Sequence, residues 1–271
     1  MKLKLPDLDY TRAARAIEDF ISSTVESTGR RGVVVGLSGG LDSSVTAKLC
    51  VEALGPEKVK ALVMPDAEVT PIRDLEDALS LARGLGVEVG VVDIGEAVKA
   101  IVGRHPFKDG GVAAVGNVRA RVRMTMLYYA ANALGLLVAG TSDRSELLLG
   151  YFTKYGDGGV DILPIGGLYK TQVRALGRHL GLPSSIVEKP SSPQLWRGQT
   201  AEGELGLSYD VIDPILHGLY DLGLGVGEVA DRVGVDVGTV ERVKSMVEAS
   251  QHKRSLPPIP PLPASYIKQK S

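Results

Sequence analysis

The aliphatic run Gly32–Leu37 (GVVVGL) leads directly into the stretch Ser38–Ser44 (SGGLDSS). Adjacent valines favour a strand that is buried on both faces, as in a parallel sheet. Two glycines, three serines and an aspartate then follow at the point where this strand ends. The start of a helix after a glycine-rich turn binds anions through its free backbone N–H groups and its dipole. The sequence therefore predicts a strand–turn–helix unit that binds phosphate.

This unit is the first of several alternations between aliphatic strands and amphipathic helices. Strands are predicted at 32–37, 59–64, 87–94 and 136–140, and helices at 10–28, 43–54, 73–85 and 117–134. This alternation predicts an α/β fold, a doubly wound parallel sheet covered by helices on both faces. Right-handed crossovers place the carboxyl ends of all strands at one edge, where ligands bind.

The pattern changes after residue 143, where the periodicity weakens. Loops are predicted at 150–170 and 183–203, helices at 170–180, 208–223, 226–233 and 236–249, and an extended tail at 256–263. With no clear linker, we expect residues 1–271 to form a single domain. Its α/β core spans about 30–180, and a loop-rich, helical C-terminal subregion spans about 181–271.

Composition narrows the function classes. The 271 residues carry a formal net charge of −1, so the chain lacks the overall positive charge that would indicate nucleic-acid binding. The single cysteine, Cys50, excludes an internal disulfide and fits a cytoplasmic location. It lies in a helical pattern typical of a core residue, although a glutaminase-type nucleophile is the sharper alternative. No apolar run reaches the roughly 18 residues that span a membrane.

Asp42 is the unusual residue of the glycine-rich turn. A carboxylate repels a polyphosphate unless a cation lies between them, so this position predicts a Mg²⁺ ion. The alternative is a simple helix start after a glycine turn. The stretch lacks the lysine of a Walker A loop and the spacing of a dinucleotide fingerprint.

A hydrophobic strand followed by SGGLDSS resembles the PP-loop ATP pyrophosphatases. The resemblance implies a Rossmann-like, adenine nucleotide alpha-hydrolase-like fold. It also implies chemistry in which ATP adenylates an oxygen, pyrophosphate leaves, and a nucleophile displaces AMP. This one motif leaves nicotinate amidation, GMP synthesis, asparagine synthesis and tRNA thiolation open.

Further motifs follow along the chain. Three arginines alternate at 119, 121 and 123, and on a helix at most two of them reach one ligand. Gly140 and Thr141 end the fourth strand, and Glu146 offers a second carboxylate for Mg²⁺. Each remaining motif also has a simpler explanation: a solvated basic face, a surface turn, a loop anchored by Trp196, or a charged helix end at 252–254.

Six segments in order resemble the ammonia-dependent NAD synthetases over about residues 37–261. They are LSGGLDSS, GNVRARVRM, SELLLGYFTKYGDGGVD, LYKTQVR, LWRGQT and HKR. The resemblance implies amidation of deamido-NAD to NAD with ATP as co-substrate, Mg²⁺ as cofactor and a homodimer. The length leaves no room for a glutaminase domain, so we expect ammonia as the nitrogen source.

The resemblance also implies roles for individual residues. The ATP contacts would be Gly36, Leu37, Ser38, Gly39, Gly40, Leu41, Asp42, Ser43, Thr141, Lys170 and Ser192. The deamido-NAD contacts would be Arg121, Lys154, Asp161, His252 and Lys253. The Mg²⁺ ligands would be Asp42 and Glu146, and the catalytic residues Asp42, Lys170 and Asp161. Asp157 is an alternative to Asp161 as the proton acceptor for ammonium, and loops 150–162 and 190–204 would close over the adenylate.

Three positions depart from the family pattern. Asp143 stands where many relatives have Asn, and Gln194 and Ala201 replace acidic residues. The alternatives are another PP-loop ligase, such as the synthetase part of GMP synthetase, and a catalytically silent nucleotide-binding module. A tRNA thiolase would need more cysteines, and a silent module would be expected to lack Asp42, Glu146 or Lys170.

Overall fold

A computed structural model describes residues 3–107 and 110–262. Four parallel strands form one sheet in the order β3-β2-β1-β4. The strands are β1 (Val33–Gly36), β2 (Val59–Val63), β3 (Glu88–Val91) and β4 (Leu137–Ala139). All four predicted strands and their parallel arrangement are confirmed, with shorter bounds than the aliphatic runs that indicated them.

Twelve α-helices lie within these described ranges. They are α1 (Tyr10–Ser27), α2 (Leu41–Leu54), α3 (Ile72–Leu85), α4 (Gly95–Arg104), α5 (Gly111–Leu134), α6 (Arg144–Leu149), α7 (Lys170–His179), α8 (Ser184–Val187), α9 (Ala201–Leu205), α10 (Tyr209–Leu216), α11 (Val226–Val233) and α12 (Val237–Ala249). Short 3₁₀ turns occupy Pro56–Lys58 and Gln251–Lys253, and a π-helical turn occupies His217–Asp221.

Alternate residues of β1 face opposite sides of the sheet. Val33 and Val35 pack into a core shared with α1, α2, α3 and α7. Val34 packs with residues of α5 on the other face. This two-sided burial is why the strand is a continuous run of valines, and it confirms the doubly wound α/β fold.

Cys50 lies in α2 and is fully buried in this core. Burial raises the pKa of its thiol to about 12. A thiol in this environment is not a reactive nucleophile, which supports the interpretation of Cys50 as a core residue.

Helix boundaries were predicted less well than strands. Helix α5 begins at Gly111 rather than at the predicted Asn117. The prediction missed its first turns because they are rich in glycine and alanine and lack an amphipathic pattern. Helix α4 was not predicted, and only Gly95 and Val98 are buried in it. The single helix predicted at 208–223 is instead α10, which ends at Leu216, followed by the π-helical turn. The change comes just after Pro214, which has no backbone N–H to donate to the helix.

The C-terminal helices build a second apolar cluster around Tyr209, Leu216, Val229 and Val243. Leu149 at the end of α6 and Tyr169 just before α7 also join it, so the C-terminal subregion packs against these two helices. Residues 256–262 form neither helix nor strand, and residue 263 of the predicted extended tail lies outside the described residues. In the described ranges, no helix has the length and apolar character needed to cross a bilayer.

Candidate active site

A cleft opens at the carboxyl ends of the strands, beside the glycine-rich turn. It brings together nearly all residues expected to contact ATP or metal: Gly36, Leu37, Ser38, Gly40, Leu41, Asp42, Ser43, Thr141, Glu146, Lys170 and Ser192. Gly39 is buried behind this surface. These residues come from five separate segments of the chain, which the parallel sheet places at one edge.

The glycine-rich turn is shaped by Gly39. This residue adopts φ +75°, and a Cβ there would clash with the carbonyl oxygen of Asp74, so a side chain is excluded twice over. Gly40, by contrast, is extended at φ −90°. Helix α2 then begins at Leu41 without a side-chain cap, which leaves N–H groups of its first turn for an anion.

Lys170 is the first residue of α7 and has no exposed side-chain surface. Its Nζ lies 2.7 Å from Asp42 Oδ2, 2.8 Å from Glu146 Oε1 and 2.9 Å from Asp143 Oδ2. We call these four side chains the lysine–carboxylate cluster. Three carboxylates surround one ammonium group, so the cluster carries an excess of negative charge.

The cluster shifts the pKa of Asp143, Glu146 and Lys170. Burial raises the pKa of Asp143 to about 6, against the opposing effect of Lys170. Burial likewise raises the pKa of Glu146 well above its ordinary value. Burial alone would lower the pKa of Lys170, but the three carboxylates outweigh it and hold that pKa well above the ordinary value. Lys170 is therefore a permanent cation, whereas Asp143 and Glu146 take up a proton more readily than ordinary carboxylates.

The same carboxylates fit a divalent metal ion. One oxygen each from Asp42, Asp143 and Glu146 lies within 4.8 Å of the others. Asp42 Oδ1 and Asp143 Oδ2 are buried and accept no hydrogen bond within residues 3–107 and 110–262, although Asp143 Oδ2 lies in the ion pair with Lys170. Carboxylate oxygens are the ligands that Mg²⁺ prefers. The geometry adds Asp143 to the expected ligands Asp42 and Glu146.

Asp143 was noted in the sequence only as a departure from the family pattern. In the structure it is the N-cap of α6, where its Oδ1 accepts from the N–H of Glu146 at 2.9 Å. An N-cap with Glu three residues later is a capping box, so the pattern DRSE was the available signal. Its contact with Lys170, 27 residues away, has no signal in the sequence.

The residues expected to bind deamido-NAD lie outside the cleft. Arg121 donates to the carbonyl oxygen of Lys154, and Lys154 Nζ donates to that of His252 at 2.7 Å. Lys253 Nζ donates to the carbonyl oxygens of Gly150 and Phe152 at 2.6 and 2.8 Å. We call Arg121, Lys154, His252 and Lys253 the basic surface group, in which Arg121 and His252 are exposed.

Asp161 stands apart from both sets. Its Oδ2 accepts from the N–H of Val138 at 2.8 Å, and its Oδ1 accepts from the hydroxyl of Tyr128 at 3.0 Å. It is exposed and does not line the cleft. Asp157 does line the cleft, and its Oδ1 accepts from the N–H of Thr153 at 2.8 Å.

The three alternating arginines of α5 have different surroundings. Arg119 is buried, pairs with Asp66 at 2.6 Å and donates to the carbonyl oxygen of Leu195 at 2.9 Å. Arg123 lines the cleft and donates to the carbonyl oxygen of Met64. Burial lowers the pKa of Arg123 to about 10. Arg121 points to the other side, as expected for residues two apart on a helix.

The loop between α8 and α9 is tied to the cleft by Lys189, which the sequence did not single out. Its Nζ donates to the carbonyl oxygen of Gly39 at 2.8 Å and pairs with Asp74 and Asp77 of α3. The side-chain amide of Gln194, a residue with backbone φ +50°, also donates to Asp74. Gln194 thus adds a contact to α3 in place of the acidic residue expected there.

The other side of this loop is held by its own hydrogen bonds. Ser192 Oγ donates to the carbonyl oxygen of Gln199 at 2.6 Å. The N–H of Ala201 donates to the carbonyl oxygen of Ser191 at 2.9 Å, so the backbone supplies the contact at this departure from the family pattern.

Comparison with known proteins identifies the family. The model of the NAD synthase family matches residues 13–257. A protein of Hyperthermus butylicus named "NH(3)-dependent NAD(+) synthetase" is 57% identical over 260 residues, which cover 95% of this chain and 93% of that protein.

Solved structures agree with this match. The NMN synthetase of Francisella tularensis has a TM-score of 0.83 at 34% identity, covering 94% of this chain and 100% of that one. The NH3-dependent NAD synthetase of Campylobacter jejuni has a TM-score of 0.80 at 33% identity, with the same coverage. The chain belongs to the NAD synthase family.

Proposed function

We propose that this member of the NAD synthase family amidates deamido-NAD with ammonia at the expense of ATP, releasing AMP and pyrophosphate. The chain is a ligase that forms a C–N bond. The observation that carries the proposal is the lysine–carboxylate cluster, which lies directly beside the phosphate-binding turn in the same cleft. This pairing of a buried cation with metal-binding carboxylates suits the activation of a carboxylate by ATP.

The residues of the cleft divide the work of binding ATP. The first turn of α2 and the hydroxyls of Ser38 and Ser43 donate hydrogen bonds to phosphate oxygens. Thr141 and Ser192, which also line the cleft, contact the remainder of the nucleotide. Lys170 supplies a positive charge that needs no rearrangement to meet the charge that develops on pyrophosphate.

Asp42, Asp143 and Glu146 would hold Mg²⁺. When bound, this ion neutralises phosphate charge and draws electron density from the phosphorus under attack.

The reaction proceeds in two displacements. A carboxylate oxygen of the nicotinate forms a bond to the α-phosphorus of ATP, and the bond from that phosphorus to the bridging oxygen of pyrophosphate breaks. The product is nicotinyl-adenylate, a mixed anhydride. The nitrogen of ammonia then bonds to its carbonyl carbon, and AMP leaves with the electrons of the C–O bond. Asp157, which lines the cleft, is better placed than Asp161 to take the proton from ammonium.

Deamido-NAD reaches the cleft from the basic surface group. Its diphosphate suits Arg121 and Lys154, because neither pairs with a carboxylate in the described parts of the chain. A site this open would be completed by a second copy of the chain, which supports a homodimer. The homodimer, the cytoplasmic location and the closure of loops 150–162 and 190–204 stay predictions.

The test is a direct assay. Purified protein is incubated with ATP, Mg²⁺, ammonium and deamido-NAD, and NAD and AMP are quantified. We expect one AMP per NAD, and no NAD when glutamine replaces ammonium. Because the Francisella relative is named an NMN synthetase, a parallel reaction contains nicotinate mononucleotide. Faster turnover of the mononucleotide would show that it, and not deamido-NAD, is the preferred substrate. AMP release only with xanthosine monophosphate would overturn the proposal.

A further inference from the structure

Asp213 is a fully buried carboxylate on α10, in the C-terminal subregion. No ion pair satisfies it among the described residues. Instead, its Oδ1 accepts from the hydroxyl of Ser145 at 2.6 Å. Its Oδ2 accepts from the N–H and the hydroxyl of Thr171 at 2.9 and 2.7 Å. A buried charge is costly unless it is well hydrogen-bonded, so these bonds hold Asp213 and its donors tightly together.

The donors are neighbours of the lysine–carboxylate cluster. Ser145 lies on α6, between Asp143 and Glu146. Its Oγ accepts from the N–H of Lys170 at 2.9 Å. Thr171 directly follows Lys170 in the first turn of α7. One carboxylate from α10 therefore fixes the two helix starts that bring the lysine and two of its partners together.

A second residue of α10 faces the other end of the same lysine. Tyr209 precedes Asp213 by about one helical turn, and the two share a face of α10. Lys170 Nζ lies 5.4 Å from the centre of the Tyr209 ring, within cation–π range. The Tyr209 hydroxyl is buried and has no hydrogen-bond partner within the described ranges. Helix α10 thus contacts Lys170 at its ammonium and, through Ser145, at its backbone.

We infer that Asp213 is a positioning residue of the reaction, which acts through Ser145 and Thr171 to fix the place of Lys170 in the cleft. The inference rests on the proposed function through the role given to Lys170. It also gives the C-terminal subregion a part in the chemistry, although none of its helices lines the cleft. A purely structural role would need only an apolar residue that packs α10 against α7.

The main variant is Asp213→Asn. Asparagine keeps the size of the side chain but presents an amide donor where Ser145 or Thr171 needs an acceptor. We expect kcat to fall about 10- to 100-fold, as for a small misplacement of a reacting group. The KM values for ATP and deamido-NAD should change less than about 3-fold, since the binding residues are untouched.

A second readout does not depend on activity. Limited acetylation followed by mass spectrometry compares Lys170, which is buried, with Lys99, which is exposed. Asp213→Asn should raise the rate at Lys170 relative to Lys99 several-fold. The matched control is Ile215→Val on the same helix, which removes one buried methylene and touches no hydrogen bond of Asp213. It should leave both kcat and Lys170 acetylation unchanged.

Each result decides the matter. An unchanged acetylation rate, or an unchanged kcat despite faster acetylation, overturns the inference. If wild-type protein forms no NAD, the proposed function fails while acetylation still tests whether Asp213 holds Lys170. If Asp213→Asn does not fold, Ser145→Ala removes the bonds of the Ser145 hydroxyl to Asp213 and to the Lys170 N–H but keeps the bonds between Asp213 and Thr171. It should show smaller changes in the same direction, and wild-type values in Ser145→Ala would overturn the inference.

Discussion

The lysine–carboxylate cluster and the basic surface group differ in the sign of their unbalanced charge. In the cluster, three carboxylates share one buried ammonium, which leaves surplus negative charge. In the basic surface group, Arg121, Lys154 and Lys253 donate to backbone carbonyl oxygens and pair with no carboxylate in the described ranges. The first is therefore built to receive a cation and the second an anion. The comparison predicts that changes in the two regions affect different substrates.

The largest effect is expected from Lys170→Met. It removes the fixed positive charge beside the leaving pyrophosphate, and kcat should fall about 10²- to 10³-fold. NAD formation under saturating substrates measures it. The control is Lys48→Met, which removes a partly exposed pair with Glu52 on α2 and should leave kcat unchanged. If kcat of Lys170→Met falls by less than about 3-fold, the cluster takes no part in the chemical step.

A smaller effect, specific to the metal, is expected from Glu146→Gln. The amide keeps the shape of the side chain but loses the charge that attracts Mg²⁺. The Mg²⁺ concentration for half-maximal activity should rise about 10- to 100-fold, with kcat largely recovered at saturation. A Mg²⁺ titration at fixed ATP measures it. An unchanged midpoint would mean that Glu146 serves only to hold Lys170.

Arg121→Ala should affect only the other region. Loss of one charge-assisted contact to the dinucleotide should raise the KM for deamido-NAD about 10-fold, and the KM for ATP should stay constant. Thr125→Ala, one turn along α5, is the control, because Thr125 donates only to the carbonyl oxygen of Arg121. An equal rise in both KM values would erase the distinction between the two regions.

The smallest effect is one of stability. Because the pKa of Asp143 is about 6 in the folded chain, the folded state binds a proton more tightly than the unfolded state. The free energy of unfolding contributed by this group therefore falls as the pH rises from about 4 to about 6. In metal-free buffer at pH 7.5, Asp143→Asn should be more stable than wild type by roughly 1–3 kcal/mol.

Urea unfolding in the presence of a chelator measures this difference, and it should vanish near pH 4. Lower stability of Asp143→Asn at pH 7.5 would show that the pair with Lys170 outweighs the burial of Asp143.

The sequence predicted the fold and the phosphate-binding turn because both are local signals. Three valines between polar segments indicate a strand, and SGGLDSS needs no partner from elsewhere to be informative. Asp143 and Asp213 had no such signal as parts of the site. Their contacts with the Lys170 region join residues 27 and 42 or more positions apart, and only the packing of α6, α7 and α10 brings them together. The assignment of individual ligands to residues stays a prediction.

Cys50 has a practical consequence. It is the only thiol in the chain, and it lies buried in α2 with a pKa of about 12. It should therefore not react with alkylating reagents while the core is closed. Its modification would then proceed through opening of the core, so the alkylation rate becomes a clock for that opening. Every variant described above carries this internal clock, and a loss of activity can be separated from a loss of structure without an added label.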